Sequence, residues 1–223
     1  MSATLNMWLI SLLFYFLYGC LGVALTYHRL ISHNSFKTHP LFLHLGLLLG
    51  SLGGVGTILE WCAVHRAHHR HADTSKDPHG PEGRFLQMQF LAMLVPGGPK
   101  YITDMIRNRT YLFYHKFYWW LHLAWVAVLV LIDPYAVIYA YLFPAMILWH
   151  AMSSLGTFTH FPFMGYQNFQ TNDKSRNITF FGYLIFGEGW HNNHHHDPGS
   201  WQFKRRWFEF DLTGFIIKLI KVK

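Results

Sequence analysis

Residues 41–62, LFLHLGLLLGSLGGVGTILEWC, decide the fold. The run is long enough to cross a hydrocarbon core of about 30 Å, yet it carries Gly46, Gly50, Gly53, Gly54 and Gly56. His28 and His33 lie directly before it, and His65, His68 and His69 directly after it. A single crossing would leave those histidines on opposite faces of a bilayer. If they serve one site, the segment dips in and returns, or lies in the interface with its irregular backbone shielded by protein. A re-entrant or interfacial segment is expected.

Working outward, residues 5–27 (LNMWLISLLFYFLYGCLGVALTY) form an uncharged run of spanning length. It begins almost at Met1, without a basic stretch before it or a small-residue cleavage site after it, so it reads as a retained span. Residues 117–132 and 136–157 are two further spans, separated by Asp133-Pro134. Proline cannot continue a helix and restricts the residue before it, so that dipeptide reads as the tight turn of a helical hairpin. The expectation is an all-α integral membrane protein, a single domain over residues 1–223, with about three transmembrane helices and the re-entrant segment. In that arrangement all 18 Lys and Arg fall on one side, with every Asp and Glu except Asp133. Such an asymmetry marks the cytoplasmic face. The polar loops, the C-terminus and the histidine clusters are then cytoplasmic, and Met1 is outside.

Composition agrees. Charged residues make up 13% and hydrophobic residues 52% of 223, whereas soluble domains are about a quarter charged. This excludes a disordered chain, a coiled coil or a collagen-like fibre, and a soluble globule would lack the charge to cover its surface. Cys20 and Cys62 sit in apolar runs and imply no disulfide framework. The net charge of +7 suits an anionic membrane surface or an acidic partner, and not nucleic acid. Residues 208–223 (FEFDLTGFIIKLIKVK) read as an interfacial amphipathic tail.

Histidine, at 17 residues, is the second anomaly. Three clusters stand out: HRLISH (28–33), HRAHH (65–69) and HNNHH (191–195). In the second and third, spacings of i, i+3 and i+4 place all three imidazoles on one helix face. Five residues of α-helix turn through about 140°. His28 and His33 would therefore serve two different metals, or the helix would end between them. Eight imidazoles exceed one tetrahedral zinc and suit two metals with four or so ligands each. Imidazole accepts iron, zinc, copper or nickel, and an all-histidine shell favours a redox metal. His160 emerges on the same side, three residues after the last span, as a candidate ninth ligand. His39, His44, His115 and His122 read as solvated residues, and His71, His79 and His196 as neighbours of the clusters rather than ligands.

Tyr27 before HRLISH, Glu60-Trp61 before HRAHH, Asp77-Pro78-His79 after it, FGEGWHNNHH (186–195), Ser175-Arg-Asn177 and the ending Phe208–Leu212 carry a resemblance. From about Gly19 to Phe215 the chain resembles the membrane fatty-acid desaturases, most of all the delta-9 acyl-CoA and bacterial acyl-lipid branch. The resemblance implies two non-haem irons held by His28, His33, His65, His68, His69, His160, His191, His194 and His195. With O2 as co-substrate and two electrons they remove two hydrogens from a saturated fatty acyl chain, leaving a cis double bond at the ninth carbon. Breaking an unactivated C–H bond is beyond any side-chain acid or base, so metal and O2 fit the chemistry. The substrate would be an acyl-lipid, an acyl-CoA or an acyl-carrier protein. A separate donor such as ferredoxin or cytochrome b5 would bring electrons, docking on Arg66, Arg70, Lys204, Arg205 and Arg206. Trp61, Trp149 and Trp190 would line the acyl tunnel, unless they are membrane anchors. Glu60, Asn193 and Gly156 would lie behind the ligands.

Three departures accompany the resemblance. Members usually carry two spans before the first cluster and here only one is found, which implies that the first is missing. Gly156 stands where the family has an Asn four residues before its ninth histidine, removing a water-mediated contact to one iron. Ala63 stands where animal acyl-CoA members carry a basic residue, which makes a CoA head group a weaker fit. Competing readings are a hydroxylase or alkene-forming enzyme on the same scaffold, an inactive shortened relative, and a metal transporter. The last lacks an ionisable path, since the spans hold only His122 and His150.

Overall fold

A computed structural model describes residues 3–78 and 97–222; His79, expected beside the second cluster, lies outside the described residues. Helix α1 (Ala3–Phe16) runs without a break into a π-helical segment, Leu17–Ser32. Then follow α2 (Pro40–Leu52), α3 (Ile58–His71), α4 (Arg109–Lys116), α5 (Tyr118–Ile132), α6 (Phe143–Phe158), α7 (Thr179–Leu184), α8 (His191–His196) and α9 (Leu212–Ile220). Among the described residues only isolated bridges, such as Tyr166–Asn177, pair extended backbone. The all-α expectation holds.

Among the described residues two helices are long and apolar enough to cross a membrane, Thr4–Ser32 and Ile138–Phe158. The expected span over residues 117–132 forms as helix α5. Helix α5 has 15 residues, about 22 Å at 1.5 Å per residue, and reaches spanning length only together with α4, bent from it by 60°. The first span overruns its expected end at residue 27. Arg29 ended the uncharged run, but its guanidinium is fully buried between Glu188 and Asp211, so its charge does not end the helix. The Asp133-Pro134 turn forms as expected: Asp133 caps it by accepting from the Tyr135 N–H (3.0 Å) and the Tyr139 hydroxyl (2.7 Å).

The 41–62 run divides in two. Helix α2 starts at Pro40, whose missing N–H costs nothing at a first turn, and its 13 residues reach about 20 Å. A turn with Gly54 and Gly56 at φ of +73° and +97°, open to glycine at no steric cost, reverses the chain. Thr57 and Glu60 then form a reciprocal capping box that opens α3. Helix α2 lies hard against the π segment: a Cβ on Gly22 would come within 2.4 Å of the Gly50 nitrogen. The two backbones can meet there only because side chains are absent. The core between them is Tyr18, Val23, Tyr27, Leu47, Ile58 and Leu148.

The C-terminal stretch differs from a surface tail. Only Leu212–Ile220 is helical, with Thr213, Gly214 and Ile217 buried, while Glu209 and Asp211 ahead of it are buried acceptors. Their hydrogen bonds tie the stretch to the interior, while Phe210, Phe215, Leu219 and Val222 stay exposed as an outward apolar face. His122 is also not solvated. It is buried on α5 with Nδ1 2.5 Å from the Tyr141 hydroxyl.

Candidate metal centre

The π segment brings the first two histidines together. Its hydrogen bonds reach five residues back: the His33 N–H donates to the His28 carbonyl at 3.1 Å, and the Thr26 hydroxyl to the Leu21 carbonyl at 2.8 Å. An i→i+5 winding sets residue i+5 over residue i, so the five-residue spacing that separates side chains on an α-helix unites them here. The helix does end between them, at Ser32, but His28 and His33 join one group rather than two.

The nine histidines form two groups. One comprises His28, His33, His65, His69 and His194, the other His68, His160, His191 and His195, and within each group the ligand atoms lie within 4.8 Å of one another. Helices α3 and α8 each contribute to both, reciprocally. The i, i+4 pair of α3, His65 and His69, enters the five-histidine group and His68 the other, whereas α8 sends His191 and His195 to the four-histidine group and His194 across. The three imidazoles of each cluster share a helix face yet not a metal position. His160 takes its place just past the end of α6.

Carboxylates set the imidazole tautomers. His28 Nδ1 bonds Glu188, His68 Nδ1 bonds Asp77 at 2.9 Å, His160 Nδ1 bonds Asp73 at 3.0 Å and His195 Nδ1 bonds Asp173 at 2.8 Å. A proton held on Nδ1 by a carboxylate leaves the Nε2 lone pair free to ligate. These Nε2 atoms face inward. His28 Nε2 is 3.0 Å from His194 Nε2, His160 Nε2 is 3.1 Å from His191 Nε2, and the buried His195 Nε2 has no hydrogen-bond partner. His33 and His65 meet at 2.7 Å and His69 and His194 at 2.9 Å, again through Nε2. Converging, buried nitrogen lone pairs are a donor set for borderline divalent cations such as Fe, and the residues fit two of them.

The electrostatics favour the ligating form. Burial, followed by repulsion from neighbouring imidazoles, holds His65, His69, His191 and His194 well below the ordinary histidine range. Burial lowers His195 to about 4 against the pull of Asp173. Desolvation works to raise Glu188, but the charges and hydrogen bonds of His28 and Arg29 hold it below the usual carboxylate range. Asp173, likewise desolvated, is brought below that range chiefly by its hydrogen bond from His195.

Two predictions arise here. In protein stripped of metal by a chelator, the unfolded imidazoles take up protons at their ordinary pKa of 6.5, while buried His195 does so only near 4. Between those values the unfolded state binds more protons, so stability falls as pH is lowered from 6.5 toward 4. Thermal melts of the chelated protein across that window check the sign. Asp173→Ala frees the His195 ring, and metal affinity is expected to fall by roughly 10–100-fold, read by competition with a chromophoric chelator.

A cavity of about 120 Å³ opens beside both groups. His28 and His65 of one group and His68 and His191 of the other line it, together with Val55, Trp61, Val64, Trp149, Met152 and Leu155. Trp61 and Trp149 therefore line the cavity. Trp190 does not; it is fully buried, with Nε1 donating to the Phe210 carbonyl at 2.9 Å. Glu60 and Gly156 are also on the cavity wall. Asn193 sits behind the histidines, accepting from Asn168 and Asn177 and donating to the Phe203 carbonyl and Glu209, which fixes α8 in place. Arg66, expected among the docking cations, is committed to Asp104 and to the carbonyls of Ile31 and Ser32.

Sequence reasoning missed Arg29, Glu188, Asp73 and Asp173. Glu188 lies within the FGEG lead, where it could have been singled out. Asp73 and Asp173 are 100 residues apart with no spacing to join them, although Asp73 accepts from His160 and from the Lys174 N–H at 2.6 Å.

The profile of the fatty acid desaturase family matches residues 5–213. The chain is 31% identical over 219 residues to the sn-1 stearoyl-lipid 9-desaturase of Anabaena variabilis, an alignment covering 96% of this chain and 80% of that protein. It is 30% identical over 224 residues to the icosanoyl-CoA 5-desaturase of Limnanthes douglasii, covering 96% of this chain and 62% of the other. To acyl-CoA desaturase 1 of Saccharomyces cerevisiae it is 32% identical over 229 residues, covering 96% and 44%.

Proposed function

This chain belongs to the fatty acid desaturase family, and from that premise we propose that it is an O2-dependent diiron enzyme that places a cis double bond at the ninth carbon of a saturated acyl chain. It is a membrane desaturase, an oxidoreductase acting on fatty acyl groups. The observation that carries the finer reading is a largely apolar cavity that touches histidines of both groups. A methylene pair lying between Trp61 and Trp149 would face both metal positions at once.

In this reading the nine histidines hold two irons, which when bound supply the O2 activation and C–H oxidation that side chains cannot. The protein does the rest. Glu188, Asp77, Asp73 and Asp173 keep the Nδ1 protons of His28, His68, His160 and His195, orienting those rings. Val55, Val64, Met152 and Leu155 hold the chain by dispersion and exclude water from the reacting carbons. The ninth-carbon position and an acyl-lipid substrate are supported by relatives such as the stearoyl-lipid 9-desaturase, and Ala63 suits a substrate without CoA. The short α2, turned back by its glycines, supports a re-entrant α2–α3 unit that returns the chain to the side where the clusters lie, which we assign to the cytoplasm. The cytoplasmic side is also where a ferredoxin or cytochrome b5 would meet it.

The test is expression in a host that makes no unsaturated fatty acids, with iron and a reductase system supplied, and mass spectrometry of total lipids. A new monoenoic acid with its double bond at carbon nine is the expected product. A hydroxylated acid or a terminal alkene would overturn the reading in favour of another outcome on the same scaffold. Gly156 offers a graded probe: a Cβ there meets no heavy atom within 4 Å, so Gly156→Leu folds but fills the cavity. Turnover is expected to fall at least about tenfold, the cost of roughly 1.4 kcal/mol of lost productive binding, with the melting temperature unchanged.

A further inference from the structure

The wall of the cavity beside the two histidine groups carries four histidines, Glu60, Glu188 and Ser153, but among the described residues no lysine or arginine. Glu188 is engaged by His28 and Arg29. Glu60 is exposed at the rim, and a short chain of hydrogen bonds fixes what each polar atom there can do. The Thr57 hydroxyl donates to Glu60 Oε2 at 2.8 Å and accepts from the Glu60 N–H at 3.3 Å. A hydroxyl has one proton and two lone pairs, so its remaining bond, to His115 Nδ1 at 2.8 Å, is one it accepts. As a neutral imidazole His115 then carries its proton on Nδ1, and Nε2 is a bare acceptor. The rim therefore offers two acceptors that these bonds leave unused, Glu60 Oε1 and His115 Nε2. Lys116, the cation beside them, lies over the Phe117 ring, 5.6 Å from its centroid.

From this rim we propose that Glu60 and His115 select an acyl lipid whose headgroup presents uncharged hydroxyls, those of glycerol or of a sugar, by accepting hydrogen bonds from them. The inference deepens the desaturase reading and rests on it. Hydroxyls are donors and match a rim made of acceptors, and a bond to a carboxylate is among the stronger kinds. A phosphate, free or within CoA, brings only acceptors and negative charge; it meets no cation on this wall and is repelled by Glu60. The rim also lies at headgroup level. Helix α5 begins directly after His115–Phe117, and its exposed Trp119 and Trp120 form an aromatic belt of the kind found where a span enters the bilayer. The rise along α3 fits as well. At 1.5 Å per residue, His65 and His68 stand about 7.5 and 12 Å past Glu60. In an extended chain built of C–C bonds of about 1.5 Å, carbons nine and ten lie roughly 10–11 Å from the carboxyl carbon. An ester held at the level of Glu60 therefore brings those carbons between the levels of His65, in one histidine group, and His68, in the other.

The test reads binding without turnover, by microscale thermophoresis of the full-length protein in mixed micelles. The probes are dipalmitoylglycerol and its monogalactosyl derivative, each beside its own methyl ether, and palmitoyl-CoA. Methylation keeps the headgroup and removes its donors, so at least one lipid is expected to bind about tenfold more tightly than its methyl ether. Which of the two does so assigns the recognised hydroxyl to glycerol or to the sugar. Palmitoyl-CoA is expected to bind more weakly than that lipid. Glu60→Gln keeps the capping box, which takes Gln in place of Glu, and sets an amide N–H where the unused acceptor was. The tenfold preference should shrink to about threefold or less, with affinity for palmitoyl-CoA raised, at unchanged metal content and melting temperature. Should that variant misfold, the methyl-ether comparison on the unaltered protein decides alone. No difference within either pair, tighter binding of palmitoyl-CoA than of both lipids, or full discrimination by folded Glu60→Gln protein overturns the proposal. Lipid products separate the two levels. A monoenoic product without hydroxyl preference sinks the headgroup site alone, whereas hydroxyl preference with no such product leaves that site standing and sinks the desaturase reading.

Discussion

His194→Ala is expected to abolish the monoenoic product and to cut metal content from about two ions per chain to one or fewer. His194 is the most connected imidazole of its group, with Nε2 3.0 Å from that of His28 and 2.9 Å from that of His69, and it is completely buried. Removing it takes one donor from the five-histidine group and leaves a void between α8, α3 and the π segment, into which water can enter. Product formation should drop by more than about 100-fold, or over 2.7 kcal/mol in barrier terms. Elemental analysis of the purified protein, run beside lipid analysis, gives both readouts. The control is His115→Ala: that imidazole lies in neither group and bonds Thr57 at 2.8 Å, so its removal should leave metal content intact. A fully loaded, active His194→Ala protein would refute the assignment of the five-histidine group.

Arg29→Met carries the largest expected loss of stability. Arg29 is fully buried, donating from Nη2 to Glu188 and from Nη1 to Asp211, each at 2.8 Å, and from Nη1 to the Trp201 carbonyl at 2.9 Å. Methionine keeps much of the volume and removes the charge, stranding two buried carboxylates. Breaking a buried pair by removing one partner costs about 3–5 kcal/mol, which for a chain of this size lowers the melting temperature by roughly 6–20 °C. Asp211→Asn added to Arg29→Met should recover part of that loss, because one stranded charge is gone. Glu188 also bonds His28, so metal affinity should fall with stability. An unshifted melting curve would show that the Glu188–Arg29–Asp211 network is not what holds the C-terminal stretch to the π segment.

Histidine spacing was legible because ligand chemistry is local: i, i+3 and i+4 positions declare a shared helix face whatever the fold around them. The Asp133-Pro134 hairpin was legible for the same reason, since proline acts on its own backbone. The 41–62 run was legible only as a choice, and its glycines pointed to the outcome. The length of the first span was not, because Arg29 looks like a terminator until its two carboxylates, 159 and 182 residues away, are seen beside it. Trp190 could not be told from Trp61 and Trp149 by composition, as all three are tryptophans near histidines. Only packing places Trp190 against Gly182, away from the cavity.

By itself, then, the sequence determined the helical class, the apolar segments and the six imidazoles of the second and third clusters, since each follows from residue type and short-range periodicity, whereas His28, His33 and His160 rested on their place along the chain and on the resemblance. Tertiary structure alone decided how those histidines divide. A π winding brings His28 over His33, and α3 and α8 each split their three imidazoles between the groups, because where an imidazole points depends on helix winding and on the angle at which two helices meet. The same is true of the carboxylates. Asp73 meets His160, 87 residues away, and Asp173 meets His195, 22 residues away, only when loops close around the site, and no helical spacing records either contact.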